Sequence, residues 1–219
     1  MRRAAEVALV LVHGAGRSGA AAWPAQLLDG AVALDLSALA TARGRAEAVA
    51  AAVRPGDVVV AHSLGGVAAV LALPMLAGPP AALVLCEPAL FDLARGDAAV
   101  EAHVAAMDAA YDALPSLPGF WARARPALLG GPFDAGRWED ERALASRLAG
   151  TERPWGQGID AEMLRDVPTV VVTGGWNAEY EAIAAALVRA GARHEVLEGS
   201  GHRPQDDPRF PAILAAAER

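Results

Sequence analysis

Short apolar runs, rich in β-branched residues, alternate with stretches of helical periodicity along this chain of 219 residues. Six of these runs are predicted as strands, at residues 7–12, 31–36, 57–61, 82–86, 169–173 and 194–197. Regular alternation of strands and helices is typical of a parallel sheet with crossover helices. Runs that are apolar throughout indicate strands covered on both faces. The sequence therefore predicts an α/β fold with a mostly parallel sheet of about six strands.

Between the fourth and fifth predicted strands the alternation stops. This long segment lacks a convincing strand and carries an amphipathic helix, with apolar residues at 100, 104, 107, 111 and 114. A helical excursion from the carboxyl edge of a sheet is typical of a lid over a site. We expect residues 1–90 and 163–219 to form the core and residues 91–162 to form a helical cap inserted into it. The predicted helices of the core are residues 45–53, 64–77, 179–190 and 208–217.

Composition narrows the class of protein. The 26 acidic residues outnumber the 19 basic ones, for a net charge of −7, which argues against nucleic-acid binding. The lone Cys86 excludes an intramolecular disulfide and a multi-cysteine metal site. No His, Asp or Glu cluster has metal-ligand spacing, so we expect neither metal nor cofactor. No stretch approaches the ~20 apolar residues of a membrane span. The apolar run at 7–12 favours a strand over a secretion leader, so we expect a cytoplasmic protein.

The most informative stretch is the third predicted strand and the turn after it, Asp57-Val-Val-Val-Ala-His-Ser63-Leu-Gly-Gly66. A buried strand runs into Ser63, and a helix begins directly after it. A nucleophilic serine stands on such a sharp turn, with small residues two before and two after it; here these are Ala61 and Gly65. The pattern predicts Ser63 as a nucleophile, with the amide of Leu64 donating to an oxyanion.

A glycine-rich loop follows the first predicted strand. It reads His13-Gly14-Ala-Gly16-Arg-Ser-Gly19, and such a turn presents backbone N–H groups to an oxyanion. The same residues fit G-x-G-x-x-G, with Asp35 near the spacing of a ribose-binding acid, so a dinucleotide site is an alternative.

A histidine follows the last predicted strand, in Gly199-Ser-Gly201-His202-Arg-Pro. A histidine in a glycine-flanked loop can reach back over the sheet to Ser63 as a general base. The chain order, serine and then histidine, agrees with this role.

Taken together, these motifs resemble the α/β-hydrolase superfamily over essentially the whole chain. The resemblance implies a doubly wound sheet and a helical cap. It also implies Ser63 as nucleophile, His202 as base, and the amides of Ala15 and Leu64 as the oxyanion hole. The chain departs from the superfamily at the third triad position, where Gly174-Gly-Trp-Asn177 offers asparagine in place of the usual aspartate.

Glu87 is the predicted third member of the triad. It directly follows the fourth strand, whose end the loop carrying His202 must cross to reach the nucleophile. A carboxylate there accepts from the far imidazole nitrogen and stabilises the imidazolium. Pro88 predicts an extended conformation for Glu87. Glu179, expected in the first turn of a helix, is a weaker candidate.

These residues predict a cofactor-independent serine hydrolase acting on a carboxylic ester, thioester or lactone. An apolar cap favours a small-molecule hydrophobic substrate, with Trp176 and Trp121 as candidate pocket residues. Two alternatives remain: a non-hydrolytic lyase on the same fold, and a catalytically inactive small-molecule binding protein.

Overall fold

The computed structural model describes residues 8–26 and 30–217 of the chain. Its strands are β1 (Leu9–Val12), β2 (Val32–Ala33), β3 (Val58–His62), β4 (Ala82–Cys86), β5 (Thr169–Thr173) and β6 (Arg193–Val196). They form one sheet in the order β2-β1-β3-β4-β5-β6, and every neighbouring pair is parallel. The predicted α/β fold with a six-stranded parallel sheet is confirmed. Residue 7, where the first predicted strand begins, lies outside the described residues.

Helices cover both faces of the sheet. They are α1 (Ala42–Ala52), α2 (Leu64–Ala72), α3 (Ala98–Tyr111), α4 (Leu117–Leu129), α5 (Trp138–Ala149), α6 (Ala178–Arg189) and α7 (Phe210–Ala217). On one face, Val59 and Ala61 of β3 pack into a core shared with α1, α2 and α6. On the other face, Val58 and Val60 pack with α7 and with the fully buried Trp23. This alternation buries both faces of β3, which explains its uninterrupted apolar sequence.

Helix α2 and strand β2 are much shorter than predicted. Helix α2 ends at Ala72, and a short 3₁₀ turn, Leu73–Met75, follows because Pro74 has no N–H to continue an α-helix. Strand β2 has two residues instead of six. Beyond it, the backbone N–H of Leu36 donates to Nε2 of His13 (2.8 Å), so a side chain of the β1 loop replaces the strand ladder.

The segment between β4 and β5 is helical, with α3, α4 and α5 and no strand. Asp97 and Ser116 start α3 and α4, since their side chains accept hydrogen bonds from the first amides of each helix. The predicted apolar positions Val100, Val104 and Met107 are buried, whereas Leu114 lies beyond the end of α3 and is exposed. Among the described residues, no helix is long and apolar enough to span a lipid bilayer.

Candidate active site

Ser63 lies in the turn between β3 and α2, with φ 51° and ψ −121°. Positive φ is strained for a residue with a side chain, and it persists only where surrounding contacts hold the backbone. Its N–H donates to the Cys86 carbonyl (3.0 Å), and its carbonyl accepts from the amides of Gly66 (2.9 Å) and Ala89 (3.1 Å). These three hydrogen bonds hold the turn, and Ser63 lines a cavity beside His202.

Crowding by backbone atoms explains why glycine occupies position 65, two residues after Ser63. A Cβ added to Gly65 would lie 2.4 Å from the carbonyl oxygen of Val12 and 2.7 Å from that of His13. No side chain fits at that distance from backbone atoms. The small residue predicted at this position therefore lets α2 pack directly against the end of β1.

His202 lies in the loop after β6 and reaches Ser63. Its Nε2 is 3.1 Å from Oγ of the serine. Nε2 of the adjacent His62 lies 2.7 Å from the carbonyl oxygen of His202, which positions the loop. Burial holds the pKa of His62 well below its usual value, and the nearby His202 lowers that pKa further. His62 is therefore neutral, with its proton on Nε2, where it donates to the His202 carbonyl.

Glu87 is fully buried behind the imidazole of His202. Its Oε1 accepts from the amide of Gly174 (2.6 Å), and its Oε2 accepts from Nε1 of Trp176 (3.0 Å). The same Oε2 lies 3.5 Å from Nδ1 of His202, and that nitrogen is buried without a hydrogen-bond partner. The distance exceeds that of a normal N–H···O hydrogen bond, so the carboxylate lies beside the imidazole without a hydrogen bond to it. Ser63, His202 and Glu87 are thus brought together in a row.

The backbone of Glu87 differs from the sequence prediction. It has φ 43° instead of the extended conformation expected before Pro88. Its N–H donates to the carbonyl of Val172 (2.9 Å), and its carboxylate is held by Gly174 and Trp176. Tertiary hydrogen bonds from β5 and the following loop override the local preference.

Among the described residues, neither Asn177, at the usual position of the acid, nor the weaker candidate Glu179 forms a hydrogen bond or ion pair with His202. Asn177 is the N-cap of α6, and its Oδ1 accepts from the amide of Tyr180 (3.2 Å). Glu179 faces α3, since its Oε1 lies 3.2 Å from Nδ1 of His103. The position where the superfamily usually has an acid is therefore a helix cap in this chain.

Ala15 and Leu64, whose amides are the predicted oxyanion-hole donors, line a cavity together with Ser63. Leu64 begins α2, and Ala15 lies in the loop after β1 beside Ser63. Neither amide donates to another described residue, which leaves both free for a ligand oxygen. Arg147 of α5 holds this loop, because its Nε and Nη2 donate to the carbonyls of Ala15 (3.1 Å) and Gly16 (2.9 Å).

An apolar cavity of about 280 Å³ opens on Ser63 and His202, and a smaller cavity of about 60 Å³ next to it is lined in part by residues of the helical segment between β4 and β5. Leu128 of α4 and Leu148 of α5 line both parts. Trp176, 39% exposed, lines the larger cavity. No group of three His, Cys, Asp or Glu side chains placed to hold a metal ion occurs in the part of the chain that the structure describes.

Trp121 does not line the cavity, and this prediction is wrong. The side chain is fully buried inside the helical segment, where its Nε1 donates to Oε2 of Glu141 (2.7 Å). Arg125 pairs with the same carboxylate at 2.9 Å. The ring joins α4 to α5 because its apolar face and its N–H both find partners there.

The family model of the Alpha/beta hydrolase family matches residues 9–216. The chain belongs to the alpha/beta hydrolase family. Among curated proteins, none matches the sequence.

Solved structures of other proteins share the fold. A hydrolase from Oleispira antarctica is 12% identical with a TM-score of 0.66, covering 99% of this chain and 92% of its own. The esterase RhEst1 from Rhodococcus sp. ECU1013 is 22% identical with a TM-score of 0.62, and the match covers 98% of this chain and 90% of the esterase. A thermophilic esterase from Thermogutta terrifontis is 22% identical with a TM-score of 0.60, covering 98% and 91%.

The structure of this alpha/beta hydrolase adds residues that sequence reasoning missed. Tyr180 packs its ring 5.0 Å from that of His202, with its hydroxyl beside Ser63. Burial raises the pKa of the Tyr180 phenol, and the nearby Glu87 raises it further, so the phenol stays protonated. Leu144 and Leu148 were detectable as an apolar i,i+4 pair, whereas nothing local marked Tyr180.

The dinucleotide alternative lacks its structural context. The loop from Gly14 leads into a short 3₁₀ turn, Gly19–Ala22, and not into an α-helix. Asp35 accepts from the amide of Ser37 (3.0 Å). A pyrophosphate site of this kind requires the N-terminus of a helix directly after the loop.

Proposed function

We propose that the protein is a serine hydrolase that cleaves a carboxylic ester, thioester or lactone through an acyl-enzyme, without a cofactor. The observation that carries this proposal is the 3.1 Å contact between Oγ of Ser63 and Nε2 of His202, with the buried carboxylate of Glu87 behind the ring. Membership in the alpha/beta hydrolase family supports the same class of reaction, and two of the structural neighbours are esterases.

In the first half-reaction, Oγ of Ser63 attacks the carbonyl carbon while its proton passes to Nε2 of His202. The carbonyl π electrons move to oxygen, and the amides of Ala15 and Leu64 stabilise the resulting negative charge. When the tetrahedral intermediate collapses, the bond to the alcohol breaks, and the alcohol takes the proton from His202. Water then repeats the sequence on the acyl-enzyme, releasing the acid and the serine.

Glu87 acts through His202 and not on the substrate. Its carboxylate favours the tautomer with a proton on Nδ1, which leaves Nε2 to accept from Ser63. The same negative charge stabilises the imidazolium formed in both half-reactions. The two hydrogen bonds from Gly174 and Trp176 hold this carboxylate in place while leaving it able to face the imidazole.

The volume and the aliphatic lining of the cavity favour a hydrophobic substrate of small or medium size. Its wall beside Ser63 is formed mainly by aliphatic side chains of α4 and α5, including Leu128, Leu144 and Leu148. A volume of about 280 Å³ lies near the lower end of ligand pockets, which span about 300–1,000 Å³. Short-chain and medium-chain acyl groups fit this space best.

The test combines covalent labelling with ester turnover. A fluorophosphonate should add to Ser63 alone, as located by peptide mapping, and Ser63→Ala should abolish labelling. With p-nitrophenyl esters of increasing chain length, the parent should give a burst of p-nitrophenol followed by steady turnover. Loss of a triad nucleophile costs about 10⁶-fold in turnover, so a Ser63→Ala variant within tenfold of the parent contradicts the proposal.

The two alternatives give different results in the same experiment. A binding protein without catalysis takes up no fluorophosphonate. A lyase takes up the label but forms no acyl-enzyme from an ester, so it shows no burst. Far-UV circular dichroism of Ser63→Ala checks that the fold is retained.

A further inference from the structure

A second cavity, of about 350 Å³, lies beside the catalytic one and shares Ala15 and Arg17 with it. Its walls come from the loop after β1, the segment 37–40, α1 and the end of α5. We call it the arginine groove, because Arg17, Arg45 and Arg147 all line it. No acidic residue lines the groove among the described residues, although the chain as a whole has a net charge of −7.

Arg45 is the distinctive member of the arginine groove. It lies in α1 and is 4% exposed. Its Nε donates to the carbonyl of Leu39 (2.8 Å), whereas its Nη1 is buried without a hydrogen-bond partner. No carboxylate of the described residues pairs with Arg45, and burial lowers the pKa of its guanidinium. A buried cation with neither counter-ion nor full hydrogen bonding is costly, so its presence calls for a partner.

The other two arginines add positive charge at the same place. Arg147 uses Nε and Nη2 on the carbonyls of Ala15 and Gly16. Arg17 is half exposed, and its nearest carboxylate, that of Asp206, lies 3.9 Å away. Neither guanidinium is neutralised by a close, buried carboxylate.

Two acidic side chains adjoin the arginine groove and accept hydrogen bonds from backbone amides, and one of them, Asp35, also lies 3.8 Å from Nε2 of His13 in the groove wall. Oδ1 of Asp35 accepts from the amide of Ser37 (3.0 Å), and Oε2 of Glu152 accepts from the amide of Ala42 (2.8 Å). Neither carboxylate lines the groove. The side chains that do line it between the arginines include Ser18 and Ser37, whose hydroxyls are hydrogen-bond donors.

We propose that the arginine groove binds an oxyanion, a carboxylate or phosphate group, through Arg45 together with Arg17 and Arg147. The planar guanidinium fork matches both groups, and charge-assisted hydrogen bonds to it are the strong ones. The bound oxyanion supplies the counter-charge that Arg45 lacks within the protein. Because Arg147 also holds the Ala15 loop, the occupied groove is coupled to the oxyanion hole of the proposed hydrolase.

Binding is tested with inorganic phosphate, by isothermal titration calorimetry at constant ionic strength set with potassium chloride. The parent should bind one phosphate, and Arg45→Met should bind it at least about tenfold more weakly, because a charge-assisted hydrogen bond contributes about 1.5–3 kcal/mol. Arg43→Met is the matched control: Arg43 lies on the same helix, pairs with Glu47 and is exposed outside the groove. Its affinity should equal that of the parent.

A second variant guards against misfolding of Arg45→Met. Ser37 is exposed at the rim of the groove, so Ser37→Asp should fold and place a carboxylate near Arg45. This built-in anion should weaken phosphate binding to a similar extent. The proposal is overturned if a variant that folds, Arg45→Met or Ser37→Asp, binds phosphate as tightly as the parent. It is also overturned if the parent neither binds phosphate nor prefers an anionic ester.

Kinetics distinguish the two sources of the oxyanion. If the oxyanion is part of the substrate, the KM should be lower for a p-nitrophenyl hemisuccinate than for p-nitrophenyl butyrate, and Arg45→Met should abolish that difference. If a free anion occupies the groove instead, the two esters should have equal KM values, and added phosphate should change kcat. The calorimetry requires no hydrolysis, so a failure to label Ser63 would refute the proposed function and leave the arginine groove to its own test.

Discussion

Oε2 of Glu87 lies 3.5 Å from Nδ1 of His202, and the carboxylate is fully buried between the ends of β4 and β5. This contact places the Glu87 carboxylate beside the imidazole ring, on the side away from Ser63. In turnover of a p-nitrophenyl ester at neutral pH, Glu87→Gln should lose about 10³–10⁴-fold, as triad acids do elsewhere. Glu179→Gln, which alters a carboxylate facing His103, is the control and should stay within a few-fold of the parent. A Glu87→Gln variant within a few-fold of the parent rejects the assignment.

Asn177→Ala should affect stability and not chemistry. Oδ1 of Asn177 caps α6 through the amide of Tyr180, and loss of such a cap costs about 1 kcal/mol of the free energy of unfolding. Urea unfolding measures the loss, and ester turnover at a temperature well below the transition measures kcat. A tenfold fall in kcat with unchanged stability would place Asn177 in the catalytic machinery instead.

Gly65→Ala should destabilise the protein, because its Cβ would meet the carbonyl oxygens of Val12 and His13 within 2.7 Å. Overpacking of this kind costs about 1–3 kcal/mol, and backbone atoms give less easily than side chains. Gly16→Ala is the stability control, since nothing lies within 4 Å of a Cβ added there. Equal unfolding midpoints for the two variants would contradict the crowding at position 65.

Arg147→Met should lower kcat more than it changes stability. The variant loses the hydrogen bonds that hold the carbonyls of Ala15 and Gly16, so the proposed oxyanion donor is less well placed. A misplacement of about 1 Å near the reacting atoms costs up to about 10²-fold in rate. Arg142→Met, on the same helix and paired with Glu139, should keep the parent kcat. Identical kcat values for both variants would show that α5 does not position the loop.

Stability should fall as the pH drops from 7.5 to 5.5. Burial holds the pKa of His62 and of His13 below 6.5 in the folded protein, whereas the unfolded chain titrates near 6.5. Between these values the unfolded state binds more protons, so acidification favours unfolding. Most carboxylates titrate below this window. Urea midpoints at pH 7.5, 6.5 and 5.5 measure the slope, and a midpoint independent of pH would show that both imidazoles are free to protonate.

Local sequence determined the architecture and two of the proposed catalytic positions. Strands and helices follow from the periodicity of apolar residues, which needs no long-range information. Ser63 was recognisable because its turn requires small neighbours within two residues, and His202 because its loop follows the last strand. Glu87 could be predicted as the third triad member once the order of the strands was assumed, although its backbone conformation could not.

Tertiary structure alone decided how distant side chains are used. Trp121 was predicted at the pocket, but the buried Glu141 holds it between α4 and α5. Arg147 contacts a loop 132 residues away in sequence, and Arg45 lies in a groove walled by segments from three parts of the chain. Such placements depend on which surfaces pack together and which buried polar groups find partners. Neither hydrophobic periodicity nor motif spacing carries that information, because both describe the chain over only a few residues.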